Sequence, residues 1–132
     1  AAGVIAADQL TWLENLCTAT DDRPLIVALH HHPIPLYVPW MDEMILTNGD
    51  AVHQTLLKAK HRLRCVLFGH IHHQICLIRD GINYISAAGV PEQITTWNGQ
   101  ADLVADKAQM PGFNLVTITG QDTLVRSYRV PV

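Results

Sequence analysis

The sequence has few of the features that mark a membrane, secreted or nucleic-acid-binding protein. No run of 18 apolar residues occurs in its 132 residues, so no membrane-spanning helix is expected. Basic residues are scarce: nine Lys and Arg stand against twelve Asp and Glu, for a formal charge of −3. They do not cluster, and without a positive stripe a nucleic-acid polymer is not an expected partner. Cysteines number only three, Cys17, Cys65 and Cys76, and none is spaced as CxxC. An odd count inside apolar segments excludes a closed disulfide framework and fits core thiols in a reduced, cytoplasmic setting. The opening AAGVIAADQL lacks a basic flank and is too short for a secretion signal.

What remains is an ordinary globular composition, 48% apolar, long enough for a single domain over residues 1–132 with its own core. Asp8 is placed to cap a helix to about Thr18, with Leu10, Leu13, Leu16 and Cys17 on one face. Leu25–Leu29 is a continuous apolar run of strand length, as in a strand covered on both faces. The three prolines of HHPIPLYVP demand a loop, and WMDEMILTNGD fits a loop or one helical turn. A second helix, capped by Asn48 or Asp50, runs to about Lys60 with Val52, Leu56 and Ala59 inward. Arg64–Phe68 is a second buried strand ending at Gly69. QICLIRDGINYIS reads as a hairpin turning at Asp80-Gly81, and residues 113–130 as a last hairpin. Between the two hairpins lies a long connection without periodicity. The fold class is α/β at the α+β boundary, with two main helices and about six strands. No strand precedes the first helix, which is the expectation for a piece of something longer.

Six of the eight histidines sit at the ends of two apolar strands, as HHH (His30, His31, His32) and as GHIHH (Gly69 to His73). Ligands gather at the carboxyl ends of strands in α/β sheets, and imidazole is the commonest protein ligand for zinc, manganese and iron. A helix between the two strands makes them parallel neighbours, so both histidine groups should open on one side. Gly69 is expected to free the backbone for a sharp turn there. His70, His72 and at least one of the triplet are the expected ligands. His31, His32 and His73 individually suit supporting or surface roles, and His53 and His61 are expected in solvent.

Three neutral imidazoles hold one dication comfortably, but not two. Paired dications are normally offset by bridging anions, and no Asp or Glu stands at the end of an apolar strand here. A two-metal site would need carboxylates from outside this sequence.

GHIH (Gly69 to His72) resembles the last motif of the calcineurin-like metallophosphoesterases. HHHPIP followed by WMDEMILTNGD resembles the branch containing bacterial cyclic-nucleotide phosphodiesterases and glycerophosphodiesterases, and ADQLTWLENL resembles the helix before the histidine strand. The likeness covers most of residues 8–90. It implies the C-terminal half of a four-layer α/β/β/α sandwich and a binuclear centre of iron, manganese or zinc in the complete enzyme. By position, His30 and His70 would bind one metal and His72 the other. The offset to Met41-Asp42 and Asn48-Gly49 selects His30 from the triplet. His31 would contact phosphate or orient His30, and Tyr37, Trp40, Asp42 and Asn48 would border the substrate, a small phosphodiester. The family's earlier DxH, GD and GNH[DE] segments are absent. The chain alone is therefore expected to hold no metal or one, and to be inactive or nearly so. The rival expectation is a non-catalytic domain that self-associates through an unpaired sheet edge, with at most one weakly bound metal.

Overall fold

Hydrophobic patterning resolves into three helices and six strands in the computed structural model, which describes residues 1–131. The elements are α1 (Ala7–Thr18), β1 (Leu25–Ala28), α2 (Pro39–Asp42), α3 (Gly49–Leu57), β2 (Leu63–Phe68), β3 (Cys76–Arg79), β4 (Ile82–Ser86), β5 (Gly112–Ile118) and β6 (Thr123–Arg129). Four strands form one sheet in the order β1-β2-β4-β3, and β5 and β6 form a second. β1, β2 and β4 run parallel; β3 returns antiparallel to β4.

The helices cover one face of the larger sheet. Leu13 and Cys17 of α1 and Val52 and Leu56 of α3 join Val27, Val66, Phe68, Ile82 and Tyr84 in one buried cluster, with Ala59 closing it below α3. The buried guanidinium of Arg62 ties the end of α1 to the start of β1. It donates to the carbonyls of Leu16 (2.6 Å) and Arg23 (3.1 Å), satisfying a helix-terminal acceptor with a cation, as the helix dipole favours. Asp8 lies in the first turn of α1 and not at its cap. The cap position is Ala6, whose N–H donates to Gln9 Oε1 at 3.4 Å. Asn48 does stand at the cap of α3, but its side chain is turned elsewhere. It accepts from Ile5 N–H (3.0 Å) and donates to Ile5 C=O (2.9 Å), holding the N-terminal segment to the helix start.

The β5–β6 hairpin lies on the opposite face. Its grip is largely polar: Asn114 donates to Ser86 C=O (3.0 Å), Gln74 to Ser127 Oγ (2.6 Å), and Arg64 to the carbonyls of Gly120 and Gln121. Its outer face leaves Phe113, Leu115, Leu124 and Tyr128 exposed. Coverage of β1 is correspondingly uneven: Val27 is buried and Ala28 exposed, so this strand is not closed on both faces. Cys17 and Cys65 are buried as expected of core thiols, and burial pushes both thiols up from their ordinary pKa. Cys76 is exposed, because the edge strand β3 turns alternate residues to solvent.

The Asp80-Gly81 turn has the expected form. Both residues take positive φ, 52° and 77°, as a two-residue primed turn requires.

Candidate metal-binding site

Parallel pairing brings the two histidine-bearing strand ends together. Leu29 N–H donates to Leu67 C=O at 2.9 Å, and Gly69 N–H donates to His30 C=O at 3.1 Å, so the ladder continues into the histidines themselves. His30, His31 and His70 then meet. The His30 and His70 rings are 5.0 Å apart, His31 and His70 4.4 Å, and His30 and His31 5.0 Å. His70 Nδ1 lies 3.2 Å from His30 Nε2.

The sharp turn after β2 is not made by glycine. Gly69 is outside the positive-φ region, and it is His70 (φ 68°) and His72 (φ 49°) that occupy it. A Cβ at position 69 would meet His30 Nδ1 at an ordinary 3.8 Å. The backbone strain therefore sits on the imidazole-bearing residues. Left-handed non-glycine residues of this kind concentrate where surrounding structure holds a functional geometry in place. Ile71 N–H closes the turn onto Gly69 C=O at 2.8 Å.

Polar satisfaction separates these rings from ordinary core histidines. His70 Nε2 and His72 Nδ1 are buried and have no hydrogen-bond partner. Leaving such atoms unpaired costs about 1–3 kcal/mol each. Burial, and then the neighbouring His31, His30 and His32, hold the His70 pKa down to about 4, so the ring is neutral and its lone pair available at neutral pH. Orphaned neutral imidazole nitrogens are the donors a metal takes, and in that respect the residues fit one. The set is incomplete, however: among the described residues no three His, Cys, Asp or Glu side chains stand together as a metal-holding group.

His31 Nε2 lies 3.2 Å from the Ala1 carbonyl, and its ring packs so closely on Gly3 that a Cβ there would come within 2.6 Å of Nδ1. His32 is wholly buried. Its Nε2 is 3.3 Å from Asp42 Oδ1 without hydrogen-bond geometry, and that oxygen instead accepts Leu36 N–H at 2.8 Å. Burial lowers the His32 pKa, against the pull of Asp42. Asp42 thus braces the proline loop. Trp40 is half-buried against the core, and Asn48 has both ends of its amide engaged by Ile5. Tyr37, at φ 62°, is exposed and lines a shallow hollow with Ile34, Pro35, Leu77, Ile78 and Arg79 beside β3, so the structure does not bring it among the histidines.

His53 is not in solvent. It is fully buried on α3, with Nδ1 2.7 Å from Tyr84 Oη and Nε2 2.9 Å from Asp80 Oδ2. His61 is exposed, as expected. The sequence carried no periodic signal for His73, whose Nδ1–H donates to Ile94 C=O at 2.9 Å and anchors the long connection next to the site.

No protein-family model matches the chain. A 3',5'-cyclic-nucleotide phosphodiesterase of Nostoc sp. is 28% identical over 130 residues, 98% of this chain and 47% of the relative. The 3',5'-cyclic adenosine monophosphate phosphodiesterase CpdA of Pseudomonas aeruginosa is 32% identical over 111 residues, 84% of this chain and 39% of the relative. CpdA of Escherichia coli K12 is 34% identical over 79 residues, 60% of this chain and 28% of the relative. The chain spans less than half the length of these curated relatives. By sequence it belongs to the cyclic-nucleotide phosphodiesterase family of the calcineurin-like metallophosphoesterases.

Proposed function

We propose that this chain is the C-terminal part of a phosphodiesterase that hydrolyses a small phosphodiester, a 3',5'-cyclic nucleotide or a glycerophosphodiester, at a binuclear metal centre. In the complete enzyme it would form half of a four-layer α/β/β/α sandwich. The observation that carries the reading is the meeting of His30 and His70 at adjacent parallel strand ends, with His70 Nε2 and His72 Nδ1 buried and unpartnered. His30 and His70 would hold one metal and His72 the other. Bound metals would polarise the phosphoryl oxygens and lower the pKa of a water. The chain's own residues supply neutral imidazoles, a main chain that fixes their spacing, and His31 beside His70, placed to meet phosphate or to orient His30. Asp42 keeps the proline loop in place beside them through Leu36. Carboxylates to bridge two cations are not among these residues, so the isolated chain is expected to bind at most one metal and to be inactive or nearly so.

Metal analysis and an assay on a nitrophenyl phosphodiester test this. The 132-residue chain should turn over at background, whereas a native longer form should lose its activity in His70→Ala, by more than the 10–100-fold that loss of a ligand's supporting partner typically costs. Robust turnover by the isolated chain would refute the fragment reading, and normal turnover in the mutant would remove His70 from the site.

One observation favours a second reading. The outer face of β5–β6 exposes Phe113 stacked on Tyr128 (ring centroids 5.3 Å), flanked by Leu115 and Leu124. A non-catalytic, self-associating domain would use such a face. Sedimentation of the isolated chain, with and without Phe113→Ser, separates the two.

A further inference from the structure

The two sheets meet at one end and part at the other. At the carboxyl end of β4 the hairpin is held closely, Asn114 on Ser86 C=O and Ser127 on Gln74. At the amino ends of β2, β4 and β6 a hollow of about 480 Å³ lies between the sheets, a volume ordinary for small-molecule sites. Ile82 and Tyr84 of β4 face the helices, so Asn83 and Ile85 face the hairpin. Thr123 and Val125 share the inner face of β6 with Ser127 and look back at them. Arg64 enters the same space through an irregularity of the sheet. Leu25 pairs with Leu63 but Ile26 pairs with Cys65, which makes Arg64 an extra residue in β2. Strict alternation would put Arg64 on the helix face with the buried Val66 and Phe68; the bulge re-aims it toward the hairpin.

The lining has a definite chemistry. Arg64 spends its two terminal nitrogens on the hairpin turn, donating to Gln121 C=O (3.0 Å) and Gly120 C=O (2.9 Å). Its Nε is buried and unpartnered, and so is Thr123 Oγ1. Among the described residues no carboxylate stands at ion-pair distance from Arg64, and no Asp or Glu lines the hollow. Cys65 lines it too, and burial, by pushing its thiol up, keeps it neutral. An uncompensated guanidinium and a hydroxyl without a partner are destabilising until an acceptor meets them. Leu63, Ile85 and Val125 make the rest of the wall apolar. One positive charge and few donors match a carboxylate on an apolar body; a phosphate would bring more charge and more oxygens than these groups can meet.

We infer that the hollow between the sheets binds a small organic carboxylate, its oxygens on Arg64 Nε–H and Thr123 Oγ1–H and its apolar body against Leu63, Ile85 and Val125. Asn83 is placed to donate its amide to the same group. None of these residues belongs to the histidine cluster, so this site and the phosphodiesterase reading stand or fall separately.

Calorimetric titration of the native full-length protein tests it, with metal removed so that no cation at the histidines captures the probe. Benzoate is the probe, benzyl alcohol its uncharged match, and inorganic phosphate the competing anion. Benzoate should bind, and benzyl alcohol and phosphate should bind far more weakly. Arg64→Gln should weaken benzoate about tenfold or more, since it removes the charge. That variant also loosens the hairpin turn, so Thr123→Val is the cleaner test. It deletes a hydroxyl that bonds to nothing in the protein and keeps the side chain's shape, and it should weaken benzoate about fivefold with the unfolding midpoint unchanged. No benzoate binding, or binding that Thr123→Val leaves unchanged and His70→Ala abolishes, overturns the inference. Phosphate binding that Thr123→Val weakens, without benzoate binding, overturns the choice of a carboxylate.

Discussion

A single histidine and a histidine cluster occupy opposite ends of the same sheet, and they are built in opposite ways. At the start of β4, His53 has both ring nitrogens engaged, one by the Tyr84 hydroxyl and one by the Asp80 carboxylate. Beyond the carboxyl ends of β1 and β2, His70 and His72 keep buried nitrogens that nothing in the protein meets. Residue type is the same, and His53 is the more deeply buried, yet it is the ring whose nitrogens are both met. A buried imidazole whose hydrogen bonds close within the fold is a structural joint, here pinning the β3–β4 turn to α3. One left open at a cost in stability is a candidate for chemistry.

Substitutions at the closed joint should therefore act on stability, and those at the open cluster on function. The largest stability loss is expected for His53→Ala, about 2–4 kcal/mol in urea unfolding, since it opens a cavity and strips the Tyr84 hydroxyl of its partner. Tyr84→Phe removes only the hydroxyl and leaves His53 Nδ1 buried and unpaired, at about 1–2 kcal/mol. Asp80→Asn should cost less than either, because Asp80 faces solvent and an amide oxygen can still accept. His70→Ala should change stability least near neutral pH. If His70→Ala proves as destabilising as His53→Ala, the contrast between the two ends collapses.

Acid sharpens the same contrast. In the metal-free protein His70 titrates at about 4 when folded against an ordinary 6.5, so between those values the unfolded chain binds more protons. Its contribution is fully present above pH 6.5 and is lost as pH falls toward 4. His32, also lowered by burial, acts with the same sign. Asp80 is lowered from 3.8 by its bond to His53, so its contribution disappears only in stronger acid. Stability measured against pH should decline first between 6.5 and 4, and that decline should shrink in His70→Ala.

Much of the arrangement was legible in the sequence because it rests on local rules. Apolar runs bounded by breakers gave β1 and β2, the intervening helix gave their parallel pairing, and Asp80-Gly81 gave its turn. These place the histidine clusters side by side. What could not be read depends on distant partners. His53 looks like a solvent-facing residue until the β3–β4 turn folds back to present Asp80 and Tyr84. Asn48 looks like a plain helix cap until Ile5 arrives from 43 residues away. Gly69 looked like the pivot of the turn, but a glycine only permits a positive φ and does not compel it. The course of the long connection between β4 and β5 lies in a segment without periodicity, where spacing carries no information.

The left-handed backbone at His70 and His72 has one further consequence. For an L-residue this conformation is disfavoured by roughly 1–2 kcal/mol, a penalty that glycine escapes. Selection for a sturdier fold alone would drift both positions toward glycine, discarding the rings. That imidazoles stand there sets durability against the placement of two rings within one short loop.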